Sequence, residues 1–299
     1  LLTAFGLLYS RMLLTRMLLL FTVVVWGCTF VATKILVGYL NPAEVLGLRM
    51  LIGLPILGAV ILAKKIKFDF TRKETISLAI GSMVVLAHFL IQITGLKYTT
   101  ATNTGWIISI TPLILAIISY FFLKEKIGRG TVIGIVVATL GVLMLFSKGD
   151  FGSIGWLKSV GDWLILISAH TWAIYTAVVR TVSRAKNPLA VTVAVMFPSF
   201  VLMVGYLVVH NQWHVYASLP LDAIIALLFL AVLGTALAHW FWQEGVAKIG
   251  AAQAGIFLYL EPLSSTVLGV AYLGEPFGIF TAIGGLMVLA GVYLAERIK

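Results

Sequence analysis

The chain has 299 residues, of which 61% are apolar and 11% charged, and its mean hydropathy is +1.08. A soluble domain carries roughly 45–50% apolar and about 25% charged residues, so this composition excludes an ordinary globular fold and leaves a lipid-embedded one. The net charge of +10 raises a nucleic-acid partner, but the placement of the bases argues for membrane topology instead.

Residues 1–17 form an apolar lead-in interrupted by Arg11 and Arg16. Apolar runs of about 20 residues, the length needed to cross a ~30 Å hydrocarbon core, follow at about 18–39, 43–63, 75–95, 99–123, 130–147, 160–180, 188–209, 221–243, 249–272 and 277–295. They predict an all-α membrane protein of ten transmembrane helices. The loops are short, the longest at about 148–159 and 210–220, which leaves no room for a soluble domain. With the N-terminus in the cytoplasm, Lys97, Lys148 and Lys158 fall on outer loops and Lys34 and Arg49 within helices. Every other Lys and Arg lies on the inner side, so the positive-inside rule places both termini in the cytoplasm. The single Cys28 sits in the first run and excludes an intrachain disulfide framework.

The chain is internally duplicated. Shifted by 150, residues 95–144 align without gaps with 245–294 and share thirteen identities, among them Gly95/Gly245, Pro112/Pro262, Glu125/Glu275, Gly134/Gly284 and Gly141/Gly291. Upstream, Ala87, His88 and Gln92 match Ala238, His239 and Gln243. Trp26, Lys34, Asn41 and Pro42 match Trp172, Arg180, Asn187 and Pro188. The expected organisation is a first repeat over 18–147, an outer linker over 148–159 and a second repeat over 160–299. Five helices per repeat make the second enter the membrane from the opposite side. Such inverted repeats belong to secondary transporters, whose sites lie at the repeat interface near the midplane.

The run Trp26-Gly27-x-x-Phe30-x-x-x-Lys34, followed by Asn41-Pro42 and Arg49, resembles the opening of EamA-type members of the drug/metabolite transporter superfamily. So do Pro112 with Leu123-x-Glu125, and Tyr259-Leu260-Glu261-Pro262 with Leu273-Gly274-Glu275. The resemblance spans residues 18–296. It implies ten helices, termini inside, alternating access and export of amino acids or related metabolites, with aromatic amino-acid exporters as the nearest analogy.

Candidate site residues are the polar groups that lipid would penalise. His88 and Gln92 share one face of helix 3, and His239 and Gln243 one face of helix 8. They either line a substrate path or hold helices together by interhelical hydrogen bonds. Glu261 is the acidic residue nearest the centre of a span, and its repeat mate is Thr111. It is read either as a proton-coupling carboxyl or as static charge compensation for Lys34 or Arg49. Pro112 and Pro262 interrupt equivalent helices and point to the site or merely shape packing. Trp106, Trp172, Tyr175 and Tyr259, with Trp26, Trp240, Trp242 and Phe257, could form an aromatic-lined cavity or face lipid. Glu125 and Glu275 are read as turn residues that complement the dipole of the helix following each. The glycines of helices 5 and 10 should allow close helix approach. His170 is a weaker cavity candidate, and His210 and His214 belong to an outer loop.

The expected function is a secondary transporter of small metabolites, amino acids or related amphipathic compounds, across a central cavity in a prokaryotic plasma membrane. Its partners would be a small-molecule substrate, the lipid bilayer and protons as a candidate coupling ion, with no nucleic acid. No cofactor, metal or catalytic residue is expected, and the oligomeric state stays open. A membrane-embedded enzyme using His88 and His239, or a sensor without flux, stands as the alternative, although no nucleophile–base pair or metal-ligand spacing supports catalysis. The chain carries no phosphate-binding glycine loop, so ATP-driven transport by this chain alone is not expected.

Overall fold

The structure, a computed structural model, describes residues 2–147, 159–273 and 278–297. Helix α1 (Leu2–Leu36) takes up the lead-in without interruption, so lead-in and first span are one helix. It is followed by α2 (Pro42–Ala63), α3 (Arg72–Tyr98), α4 (Ala101–Ile108), α5 (Thr111–Phe121) and α6 (Arg129–Ser147). The second half comprises α7 (Val160–Ala185), α8 (Pro188–His210), the short α9 (Trp213–Ala217), α10 (Leu221–Leu228), a π-helical segment Phe229–Leu237, and α11 (Ala238–Ile249). The chain continues through α12 (Ala251–Ile256), a 3₁₀ turn Phe257–Leu260, α13 (Glu261–Leu273) and α14 (Ile279–Arg297). Among the described residues, seven stretches are each long and apolar enough to cross a membrane, and Arg129–Met144 adds a shorter apolar helix. Residues 148–158, which hold most of the expected outer linker and Trp156, and residues 274–277, which hold Glu275, lie outside the described residues.

The helices begin where their caps say they should. Asn41 accepts from the amides of Ala43 and Glu44, and Asn187 from those of Leu189 and Ala190, each just before a proline that needs no amide partner. Thr71 with Glu74, and Ser159 with Asp162, form capping boxes at α3 and α7. The duplicated Asn-Pro pair is thus a duplicated helix start.

Polarity runs inside out. Leu62, Phe122, Val209, Leu221 and Leu286 are largely exposed, while Arg49, His88, Asp162, His239, Gln243 and Glu261 are buried. This is the distribution lipid imposes.

Element pairing follows a two-fold exchange. α6 packs on α14 and α2 on α8, while α3 against α7 is matched by α1 against α10, the π segment and α11. Where the broken helices cross, α4 meets α13 and α5 meets α12, so each first segment lies against the other's second and the pair is antiparallel. Small residues permit these approaches. A Cβ on Gly141 would lie 2.8 Å from the Gly284 carbonyl, and one on Gly291 would lie 2.7 Å from the Gly134 carbonyl, both between α6 and α14.

Gly141→Leu should therefore force α6 off α14 at a cost of about 1–3 kcal/mol, read as a lower melting temperature in detergent. Gly58→Ala, at a position with nothing within 4 Å, should leave the melting temperature unchanged or raised.

Candidate functional site

At the crossing of the broken helices lies a cavity walled by both halves. From α1 it takes Trp26, Thr29, Phe30 and Thr33, from α2 Arg49, and from α3 His88, Phe89 and Gln92. Ile108 and Thr111 flank the α4–α5 break, Trp172 comes from α7, His239 from α11, and Leu258 and Glu261 from the start of the α13 arm. Its volume of about 40 Å³ is room for a few waters at roughly 10–15 Å³ each, and less than a metabolite needs.

Four rings from duplicated positions form its centre. Trp26 meets its repeat mate Trp172 edge-on at 5.0 Å between centroids. His88 packs on Trp172 at 5.0 Å, and its mate His239 on Trp26 at 5.1 Å, so each histidine rests on the tryptophan of the other half. His88 Nδ1–H donates to the Ser168 carbonyl at 2.9 Å, and His239 Nδ1–H to the Gly234 carbonyl at 2.8 Å. A carbonyl can only accept, so Nδ1 carries the proton and Nε2 is left as the acceptor of each neutral ring. Neither Nε2 has a hydrogen bond among the described residues.

The π segment makes the second half of this arrangement. Its wider turn places the Gly234 carbonyl five residues before His239, where it also accepts from Trp26 Nε1–H at 3.1 Å. Thr235 Oγ1–H donates five residues back to the Leu230 carbonyl, and the same oxygen accepts from Arg49 Nε–H at 2.8 Å. The approach of α2 depends on Gly53, where a Cβ would lie 2.6 Å from the Ala231 carbonyl. π turns recur at functional sites, yet nothing in the sequence marked this one.

The breaks at Pro112 and Pro262 differ in form. Pro112 withholds the amide that the Ile108 carbonyl would accept, and Thr111 Oγ1–H donates to that carbonyl instead at 2.6 Å. Pro262 follows a 3₁₀ turn and opens α13. Both prolines therefore separate helical segments rather than merely bending one. Thr111 and Glu261, which precede them, reach the same cavity from opposite halves.

Of the expected site residues, Trp26, His88, Gln92, Trp172, His239, Arg49 and Glu261 meet in this cavity. The others do not. Gln243 lies one turn beyond His239 and is consumed by Tyr175 and Ser183: its Nε2–H donates to the Tyr175 hydroxyl at 2.7 Å and its Oε1 accepts from Ser183 at 3.1 Å. Tyr175 packs against Trp172 at 5.0 Å and Trp242 against it at 6.0 Å, both behind the cavity wall. The 3₁₀ turn directs Leu258 and Glu261 inward and Tyr259 outward, where its hydroxyl meets Thr139 of α6 at 2.7 Å. Trp106 is off the cavity face, which on this arm runs through Ile108 and Thr111. Lys34 does not compensate Glu261. Its ammonium donates to the carbonyls of Leu96 and Thr99 that end α3, at 2.8 and 2.6 Å. Arg49 shares the cavity with Glu261, but no ion pair joins them among the described residues. His170 is exposed and bonds within its own helix. Thr29, Thr33 and Phe89 went unremarked, although Trp26, Thr29, Phe30 and Thr33 form a visible one-face stripe on α1.

The two ends of the bundle are closed differently. At the basic end, Glu125 pairs with Arg180 at 2.9 Å and accepts from the amides of Ala251 and Ala252 at 3.2 and 3.1 Å. Glu125 thus caps α12 from the other half, not the helix that follows it, because Gly250 (φ +95°) turns those amides toward it. At the opposite end, Asp162 accepts from the Thr99 hydroxyl and the Asn103 amide, both at 2.5 Å, while Lys34 holds the end of α3.

Comparison with known proteins follows this architecture. The model of the EamA-like transporter family matches residues 13–147 and again 159–296. The chain is 28% identical over 275 residues to the uncharacterized transporter YyaM of Bacillus subtilis, covering 91% of this chain and 90% of the relative. An uncharacterized transporter of Archaeoglobus fulgidus is 25% identical over 281 residues, covering 94% and 96%. The WAT1-related protein At3g02690 of Arabidopsis thaliana is 26% identical over 279 residues, covering 91% and 66%. A solved crystal structure superposes with a TM-score of 0.73 at 18% identity, over 95% of this chain and 98% of that one, which establishes a common fold.

Gln243→Leu should leave the Tyr175 hydroxyl without its partner and Ser183 with only its bond to the Val179 carbonyl, lowering stability by about 1–3 kcal/mol, measured by thermal unfolding in detergent. Tyr175→Phe, which keeps the ring packing, should lose about 1 kcal/mol or less.

Proposed function

Because the chain belongs to the EamA-like transporter family and is a multi-pass integral membrane protein, we propose that it is a secondary transporter of small metabolites. Amino acids or related amphipathic compounds are the proposed cargo. Transport proceeds by alternating access, outward across the plasma membrane of a bacterium or archaeon. The observation that carries this reading is the cavity, set where two broken antiparallel helices cross and lined by residues of both halves. Ten spans in two inverted five-helix repeats, over 18–147 and 160–299, with both termini on the basic, cytoplasmic side, complete the proposed topology. The relatives carry transporter names without substrates, so the cargo rests on the cavity's chemistry.

Alternating access requires two ends that open in turn, and both are held by bonds that can be exchanged. The Glu125 carboxylate ties α5's end to Arg180 and to α12 across the basic end. The opposite end is tied by Lys34 and by Asp162 with Thr99 and Asn103. A cavity with room for a few waters fits a closed intermediate, which must open before a metabolite enters. Glu261, buried and without an ion pair among the described residues, is the proposed proton-carrying group.

Purified protein in liposomes should take up one class of labelled amino acid, faster with a pH gradient, and His88→Ala should reduce that flux more than tenfold. Loss of gradient dependence in Glu261→Gln with flux retained would assign proton coupling to that carboxyl. Unchanged gradient dependence would remove the assignment. Absence of flux for amino acids and for a wider metabolite panel would favour a non-transporting sensor. Glu125→Gln should raise labelling of a cysteine at Thr33, in a Cys28→Ser background, by an impermeant thiol reagent applied from the basic side. Unchanged labelling would mean that the pair is no gate.

A further inference from the structure

We infer that Arg49 and Glu261 are the two charge poles of the cavity, so that the substrate is recognised as a zwitterion, its anionic group at Arg49 and its ammonium at Glu261. This rests on the transporter reading above and names which solutes that site accepts.

Both side chains are almost wholly buried, at 5% and 4% exposure, and both line the same cavity. Arg49 is held from two sides. Its Nε–H donates to Thr235 Oγ1 at 2.8 Å, and its guanidinium lies 4.7 Å from the centre of the Phe89 ring. That leaves its terminal amino groups without a hydrogen bond among the described residues, although a guanidinium offers five donors in a fixed fork suited to a carboxylate. Glu261 has no ion pair or side-chain hydrogen bond among the described residues. Its place is fixed through the backbone: a Cβ on Gly27 of α1 would lie 2.5 Å from its carbonyl.

A buried charge without a partner is expensive, and each partner normally sits within hydrogen-bonding distance. Here a guanidinium and a carboxyl share one cavity yet do not pair with each other, and the proton that the carboxyl carries in the closed cavity leaves to water when an ammonium takes its place. A solute carrying a carboxylate and an ammonium satisfies both at once. A lone cation leaves Arg49 uncompensated and adds to its repulsion, and a lone anion forgoes the pairing at Glu261. The unprotonated Nε2 acceptors of His88 and His239 suit the remaining ammonium N–H groups. Trp26, Phe30, Phe89 and Trp172 provide walls for an apolar or aromatic side chain. Rejection of a ligand lacking one group is strong in such a site, because the buried partner is then left unpaired.

Labelled phenylalanine is the probe, with phenylalaninamide and 3-phenylpropanoate as its cationic and anionic analogues. Each analogue should compete for wild-type uptake at least tenfold less well than phenylalanine. Arg49→Gln should narrow the gap between phenylalanine and the amide, and Glu261→Gln the gap between phenylalanine and phenylpropanoate. These are ratios within one variant, so a general loss of folded protein does not mimic them. Binding is read without transport as the rise in melting temperature of the detergent-solubilised protein, with phenylalanine stabilising and neither analogue doing so. Equal competition by the analogues, or ratios unchanged in both variants, would overturn the charge-pole assignment while leaving the transporter intact. Selective stabilisation without flux would overturn transport but keep the poles. Neither stabilisation nor flux with phenylalanine would sink both.

Discussion

Every backbone amide and carbonyl that the helices release must find a partner inside the bundle, because the hydrocarbon around it offers none. Two departures from α-helical geometry, at Pro112 and in the π segment, hand freed groups to residues around the cavity. Pro112 releases the Ile108 carbonyl, which the Thr111 hydroxyl takes up. The π turn presents the Gly234 carbonyl, which accepts from both Trp26 and His239. The same turn sets Thr235 to receive Arg49. Satisfying the backbone and positioning the cavity's side chains are thus one solution.

The two halves use matched residues in crossed fashion. Each histidine rests on the tryptophan contributed by the other half, so neither half can assemble the cavity alone. The position before the helix-breaking proline is a threonine in one copy and a glutamate in the other, and both face the same small space. Duplication supplies a symmetric frame, and two departures from it, Glu261 matched to Thr111 and Arg49 matched to Val195, make the site electrostatically polar.

The ends of the bundle show matched residues in different bonds. Arg180 meets the carboxylate of Glu125, which also caps α12, whereas its repeat mate Lys34 caps the carbonyl end of α3. One contact neutralises a helix start and the other a helix finish, each using the sign of charge that the helix dipole favours. Because these bonds cross between elements far apart in sequence, their exchange would move whole arms rather than single loops.

Hydropathy and the duplication were enough to read an all-helical membrane protein, its paired halves and the inward placement of His88, His239, Arg49 and Glu261, since polar groups in apolar runs stand out one residue at a time. The starts of α2 and α8 were equally legible, because Asn-Pro is a local signal that needs no tertiary partner. What the tertiary structure decided was which way neighbouring side chains face. Periodicity assumes a constant 100° per residue, and the break at Pro112, the 3₁₀ turn at Phe257–Leu260 and the π turn at Phe229–Leu237 each reset that angle. Tyr259 consequently left the cavity while Leu258 and Thr111 joined it. Partners across the fold were equally out of reach: Glu125 caps amides 126 and 127 residues away, and Lys34 answers carbonyls rather than a carboxylate. Hydrophobicity sums along a chain and survives without coordinates, whereas the direction of a side chain depends on every helical irregularity before it.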